Sequence, residues 1–223
     1  ATLYNDITVD QKGSWDERTV WNVASGTTNV IHGAVNVSVI DNMEVPRSSC
    51  VVFDGGYTCN YANWRTSGGG TVMVTNGILN LTGGTFEGHC SNLILCEPNN
   101  VIKNMGAYAG SCATLGLDLR ADYALNSPDL ELRMKNDLKL NGHDQQIGSL
   151  CMDASTAVIA SAGGTAALLK INQTKNYPVK ATVRDGVSIE KGGPGELVLS
   201  AVNSSTGTVA VLGGTLVFTN DAS

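Results

Sequence analysis

The chain has 223 residues, a formal net charge of −6, 15% charged and 5% aromatic residues, and 26 glycines. An acidic balance argues against a phosphate-binding surface, which needs a basic patch. A hydrophobic share of 42%, patterned along the chain, argues against disorder. Charged residues usually reach about 25% and glycine about 7%, so the composition suits stacked β structure with many turns. The sequence holds no apolar run of the ~18 residues that a membrane-spanning helix needs, so no membrane insertion is expected. The polar opening Ala1–Asp10 is unlike a signal peptide; an exported chain with this start is expected to be a processed or excised piece.

In chain order, Leu3, Ile7 and Val9 alternate with polar residues, and Trp15 and Trp21 follow. Large aromatics near the start suit a cap over residues 1–27, because a coil of strands must cover its first turn. Val30, Val35, Val37 and Val39 continue the alternation until Pro46 breaks it. Residues 47–70 are rich in aromatics in a chain otherwise poor in them, and Cys50 and Cys59 flank the turn signal Asp54-Gly55-Gly56. This spacing predicts a loop inserted in a regular stack. Tyr57, Tyr61, Trp64 and Arg65 are its ligand-binding candidates, by stacking on a sugar ring or anchoring a protein; the plainer reading folds the aromatics back on the stack.

Thr71–Thr75 and residues 77–82 alternate again, and placing Leu93 over Leu115 sets Cys90 over Cys112 one turn later. The clearest strand pattern is 130–140. Leu130, Leu132, Met134, Leu138 and Leu140 share one face, and Glu131, Arg133, Lys135, Asp137 and Lys139 the other. Residues 158–171 and 179–189 add further short runs. Over 191–218, three short alternating runs are separated by Gly192, Gly193, Gly195, Gly207, Gly213 and Gly214. Many short strands, sharp glycine corners and no helix between them predict an all-β coil of strands.

The pattern K-x-G-x-G-x-L-x-L-S-x-x-N…T-G…V-x-x-G-G-T-L resembles the autotransporter-associated β-strand repeat, or passenger-associated transport repeat. Lys191, Gly193, Gly195, Leu197, Leu199, Ser200, Asn203, Thr206, Gly207, Val211, Gly213, Gly214, Thr215 and Leu216 occupy its positions. Ala201 stands where a Gly is common, and Ser204 and Ser205 replace a Thr-aromatic pair. The resemblance covers 138–218. It implies one single-stranded, right-handed parallel β-helix (β-solenoid) domain over 1–223, within a longer passenger protein secreted or displayed on a bacterial surface.

Six cysteines occur without a C-x-x-C pair, so neither a zinc knuckle nor a thioredoxin-type motif is supported. In an exported chain at least one and up to three disulfides are expected, with Cys50–Cys59, across a turn, and Cys90–Cys112, by stacking, as the candidates; in a reduced chain the cysteines would be small buried hydrophobes. The three histidines, His32, His89 and His143, lack ligand spacing, and no nucleophile elbow, P-loop or dinucleotide fingerprint is present. No catalytic residue, metal or cofactor is therefore expected. The functional expectation is a non-catalytic structural or adhesive segment whose repeat aids folding and export. Its expected partners are a glycan or host surface protein and neighbouring segments of the parent chain, with no nucleic acid. The alternative is a carbohydrate-active β-helix enzyme, a polysaccharide lyase or glycoside hydrolase, or a carbohydrate-binding module. Its best residues are Asp118, Arg120 and Asp122 on one strand.

Overall fold

A run that alternates apolar and polar residues can bury only one face, so it must lie on a surface made by its neighbours. The computed structural model describes residues 2–3, 7–10, 13–15, 20–37, 41–60, 63–81, 85–90, 92–108, 111–200 and 203–219. Their strands stack into walls: one sheet of 11 strands, a second of 9, and a third wall made of two 4-stranded sheets. Successive strands take the walls in turn. Cys50–Asp54 lies on the second, Tyr57–Cys59 on the third, Asn63–Ser67 on the first, and Thr71–Thr75 again on the second, beside Cys50–Asp54. The chain is thus a parallel β-solenoid.

Parallel in-register pairing places like side chains over like. On the second wall Val51, Val72, Leu93, Leu117, Leu138, Ile159 and Val183 form one column, each the register partner of the next. All seven are buried. Each such side chain contributes about 1.5–3 kcal/mol by leaving water. Leu130, Leu132, Met134, Leu138 and Leu140 are buried as their alternation predicts, and the charged residues between them line the outside.

Residues 47–70 are not a projecting loop. Cys50–Asp54, Tyr57–Cys59 and Asn63–Ser67 each pair with a strand of the circuit before and a strand of the circuit after. Asp54-Gly55-Gly56 is a corner between walls rather than a hairpin turn. Gly55 has φ 132°, and a Cβ there would lie 2.6 Å from the Gly33 carbonyl carbon, so corner stacks on corner only if this residue has no side chain. The aromatics turn inward. Tyr57 stacks on Trp64 with ring centroids 4.4 Å apart, Phe53 lies 4.7 Å from Tyr57, and Phe86 meets Trp64 edge-on at 5.1 Å. Aromatic scarcity elsewhere follows from the small aliphatic residues that fill the other circuits.

The region expected to cap the start instead supplies rungs. Thr2–Leu3 pairs with Val20–Val23, Ile7–Asp10 with Thr28–His32, and Gly13–Trp15 with Val35–Val37. The Trp15 and Trp21 side chains lie outside the described set. The one antiparallel pair of strands among the described residues, Ala107–Tyr108 with Ser111–Cys112, enlarges a single circuit. That insertion shifts the register, so Leu93 faces Leu117 rather than Leu115.

Leu132→Asp is expected to cost at least about 4 kcal/mol, because a carboxylate there enters the core unpaired. Lys135→Asp, on the outside, is expected to cost within about 0.5 kcal/mol. Urea denaturation of both variants checks the assignment, and equal midpoints would refute it.

Candidate functional site

A cluster of ionisable side chains sits on the outer face of the first wall, across Glu131–Met134, Ser149–Met152 and Tyr177–Val179. Alternation turns Leu132 and Met134 inward, which leaves Glu131 and Arg133 outside, in register with Ser149 and Cys151 of the next rung. Glu131 accepts hydrogen bonds from the Tyr177 hydroxyl at 2.8 Å and from the Lys175 ammonium, and Arg133 approaches it at 3.8 Å. Both cations also face the Tyr177 ring, Arg133 at 5.4 Å and Lys175 at 5.8 Å from its centroid. Ser149 and Thr174 hydroxyls meet at 3.0 Å beside them.

Burial alone would raise the Glu131 carboxyl. Hydrogen bonds from Lys175 and Tyr177, with the charges of Lys175 and Arg133, outweigh it and hold Glu131 below the usual carboxylate range. Burial and the Glu131 carboxylate push the Tyr177 hydroxyl the other way, so it stays protonated. An ionised acceptor and a locked donor make an ion-pair network rather than a general acid and base poised near neutrality. The same face carries one group shifted toward reactivity. The Cys112 thiol is lowered by a hydrogen bond from Cys151 and by Arg133, despite burial.

A fully buried charge lies in the repeat-like segment. The Lys191 side chain is fully buried, and its ammonium donates to the carbonyls of Gly192 (2.7 Å), Gly193 (2.9 Å) and Gly213 (2.7 Å). Three acceptors match the three donors of an ammonium. Burial lowers its pKa. Lys191 therefore ties one glycine corner to the corner of the next circuit.

Of the ligand candidates, Tyr57 and Trp64 are buried in the core, and neither presents a face to a ligand. Tyr61 lies outside the described residues. Arg65 is exposed and pairs with Glu87 at 2.8 Å. Asp118 accepts from Arg120 at 3.0 Å and from Asn141 at 2.8 Å, while Asp122 accepts from His143 and the Asp144 amide. Each carboxylate is held by its own neighbours. Among the described residues no group of three or more His, Cys, Asp or Glu side chains is placed to hold a metal ion.

The four disulfide candidates are free thiols. Cys50 is half-buried on the second wall and Cys59 fully buried on the third, so their side chains point to different sides of the shell. Cys90 is also buried, its thiol pushed up to about 12 by desolvation. The inserted hairpin carries Cys112 away from the stacking expected over Cys90. Comparison with protein-family models, curated proteins and solved structures finds no match.

Glu131 gives a pH test. A carboxyl lowered by folding contributes stability that is full above its ordinary value of 4.5 and disappears as pH falls through the lower folded value. Glu131→Gln is therefore expected to melt below the wild type at pH 7, with the gap closing toward pH 2. Calorimetry at both pH values checks it; a gap that persists unchanged in acid would contradict the linkage.

Proposed function

We propose that this chain is a non-catalytic structural and adhesive segment of a bacterial passenger protein that is secreted or displayed at the cell surface. The repeat-like segment 138–218 assists folding and outward transport. The observation that carries this reading is the placement of the repeat positions at rung joints. Lys191 reaches from its own corner to the Gly213 carbonyl of the next circuit. A Cβ at Gly214 would lie 2.5 Å from the carbonyl oxygens of both Gly193 and Gly195. Lys191, Gly193, Gly195, Gly213 and Gly214, which carry part of the resemblance, meet at the joint between circuits, and a stack built in sequence can grow as it emerges.

The last described circuit supports neighbouring segments of the parent chain as partners. Val209, Val211, Leu212 and Phe218 expose between 39% and 71% of their surface, where interior positions of earlier circuits expose almost none. A further rung laid on this end would cover them. Adhesion to a glycan or host surface protein would use the polar walls, since Tyr57 and Trp64 are spent on the core.

The reading is tested by fusing the chain ahead of a translocator barrel in a Gram-negative host. Wild-type segment is expected outside the cell in a trypsin-resistant form, and Lys191→Met is expected to lower its surface level several-fold. The purified chain is expected to turn over no arrayed polysaccharide. Failure of the wild type to appear outside would contradict the reading. So would turnover that is abolished by Asp118→Asn or Asp122→Asn.

A further inference from the structure

The inserted hairpin folds back on the first wall and brings Cys112 against Cys151. Their sulfurs lie 3.2 Å apart, and the Cys112 sulfur is 3.9 Å from the Cys151 carbonyl. The two residues are separated by 39 positions and are 6% and 5% exposed, just beneath the outer face. Arg133, the register partner of Cys151, lies on the same face, and its guanidinium favours the Cys112 thiolate. Two thiols in contact, at the root of the only hairpin among the described residues, are sulfurs that the ion-pair network of Glu131 does not use, although Arg133 belongs to both.

We propose that Cys112 and Cys151 are a redox-responsive dithiol that closes to a disulfide by exchange with a small-molecule disulfide such as oxidised glutathione, stapling the hairpin to the first wall. Cys112 is the attacking thiol, because Arg133 and the Cys151 thiol favour its thiolate. Its sulfur attacks oxidised glutathione, the glutathione S–S bond breaks, and one glutathione thiolate leaves and takes up a proton. Cys151 then gives up its proton and attacks the Cys112 sulfur, expelling the second glutathione. Two protein thiols are oxidised and one glutathione disulfide is reduced to two thiols. The mixed disulfide is short-lived, because the resolving sulfur is already in contact. The bond joins chain segments that the insertion separates, and it forms only where the surroundings are oxidising enough.

The test is to incubate the reduced chain with oxidised glutathione, alkylate it under denaturing conditions and map its peptides by mass spectrometry. The proposal expects four of the six thiols to alkylate and one cross-linked peptide joining Cys112 to Cys151. It also expects a reversible rise in melting temperature of about 5–10 °C. That rise should be absent from Cys112→Ser and from Cys151→Ser. Arg133→Gln should slow thiol loss at pH 7 by about threefold or more. Six alkylated thiols, a bond between any other pair, or a glutathione adduct that persists on Cys112 would each overturn the dithiol. An unchanged rate in Arg133→Gln would overturn its attacking thiol. The peptide map of the wild type needs no variant to fold.

Discussion

Among the described residues, interior side chains below the last circuit are covered by their register partners one circuit on. Column order is therefore the constraint on which the rest depends. A misplaced circuit of one residue would turn Val72 and Val74 outward and Met73 inward, and it would carry the same error to every circuit stacked on top. The alternation along each strand fixes the face, and the columns fix the register. Glycine corners then need to do no more than let corner sit on corner, as Gly55 does against Gly33. Exposed charge pairs on the outer faces, such as Lys180 with Asp153, have little influence on stability, unlike the half-buried Glu131 network.

Corners carry a second constraint, because a chain turning inside a shell leaves backbone groups with no strand partner. Buried amides meet it. Asn100 accepts from the Leu79 amide and donates to the Ala124 carbonyl. Gln145 accepts from Leu125 and donates to Ala121. Gln173 accepts from Leu150 and donates to Lys175. Lys191 does the same work with a charge. Asn100 and Gln145 lie where the third wall passes from one sheet to the other, and all four side chains tie successive circuits together.

The sequence carries the walls openly. Alternation over 130–140 marked inside and outside, and the glycine-punctuated runs over 191–218 marked a coil of strands. What it hid was register. Phe86 sits under Met105, Met105 under Leu132, and Leu132 under Leu150, at unequal steps along the chain. With no fixed period, contacts between circuits such as Glu131 with Tyr177 or Cys112 with Cys151 leave no spacing to find. The aromatic segment misled for a related reason. Tyr57 and Trp64 fall on the inward parity of their strands, yet the Asp-Gly-Gly signal between Cys50 and Cys59 reads equally as a hairpin or as a corner. Lys191 was visible as a motif position, but nothing in its neighbours announced three carbonyls converging on it.

Residue-resolved amide hydrogen exchange tests the stacked-column account most directly. The Leu93 and Leu117 amides donate to the Gly116 and Asp137 carbonyls one circuit on, so they can open only when circuits separate. The account predicts the slowest exchange for these second-wall amides and much faster exchange for Val209–Val211 and Thr215–Phe218 on the uncovered end. Protection that is strongest at the end, or absent from the 93–138 columns, would contradict it.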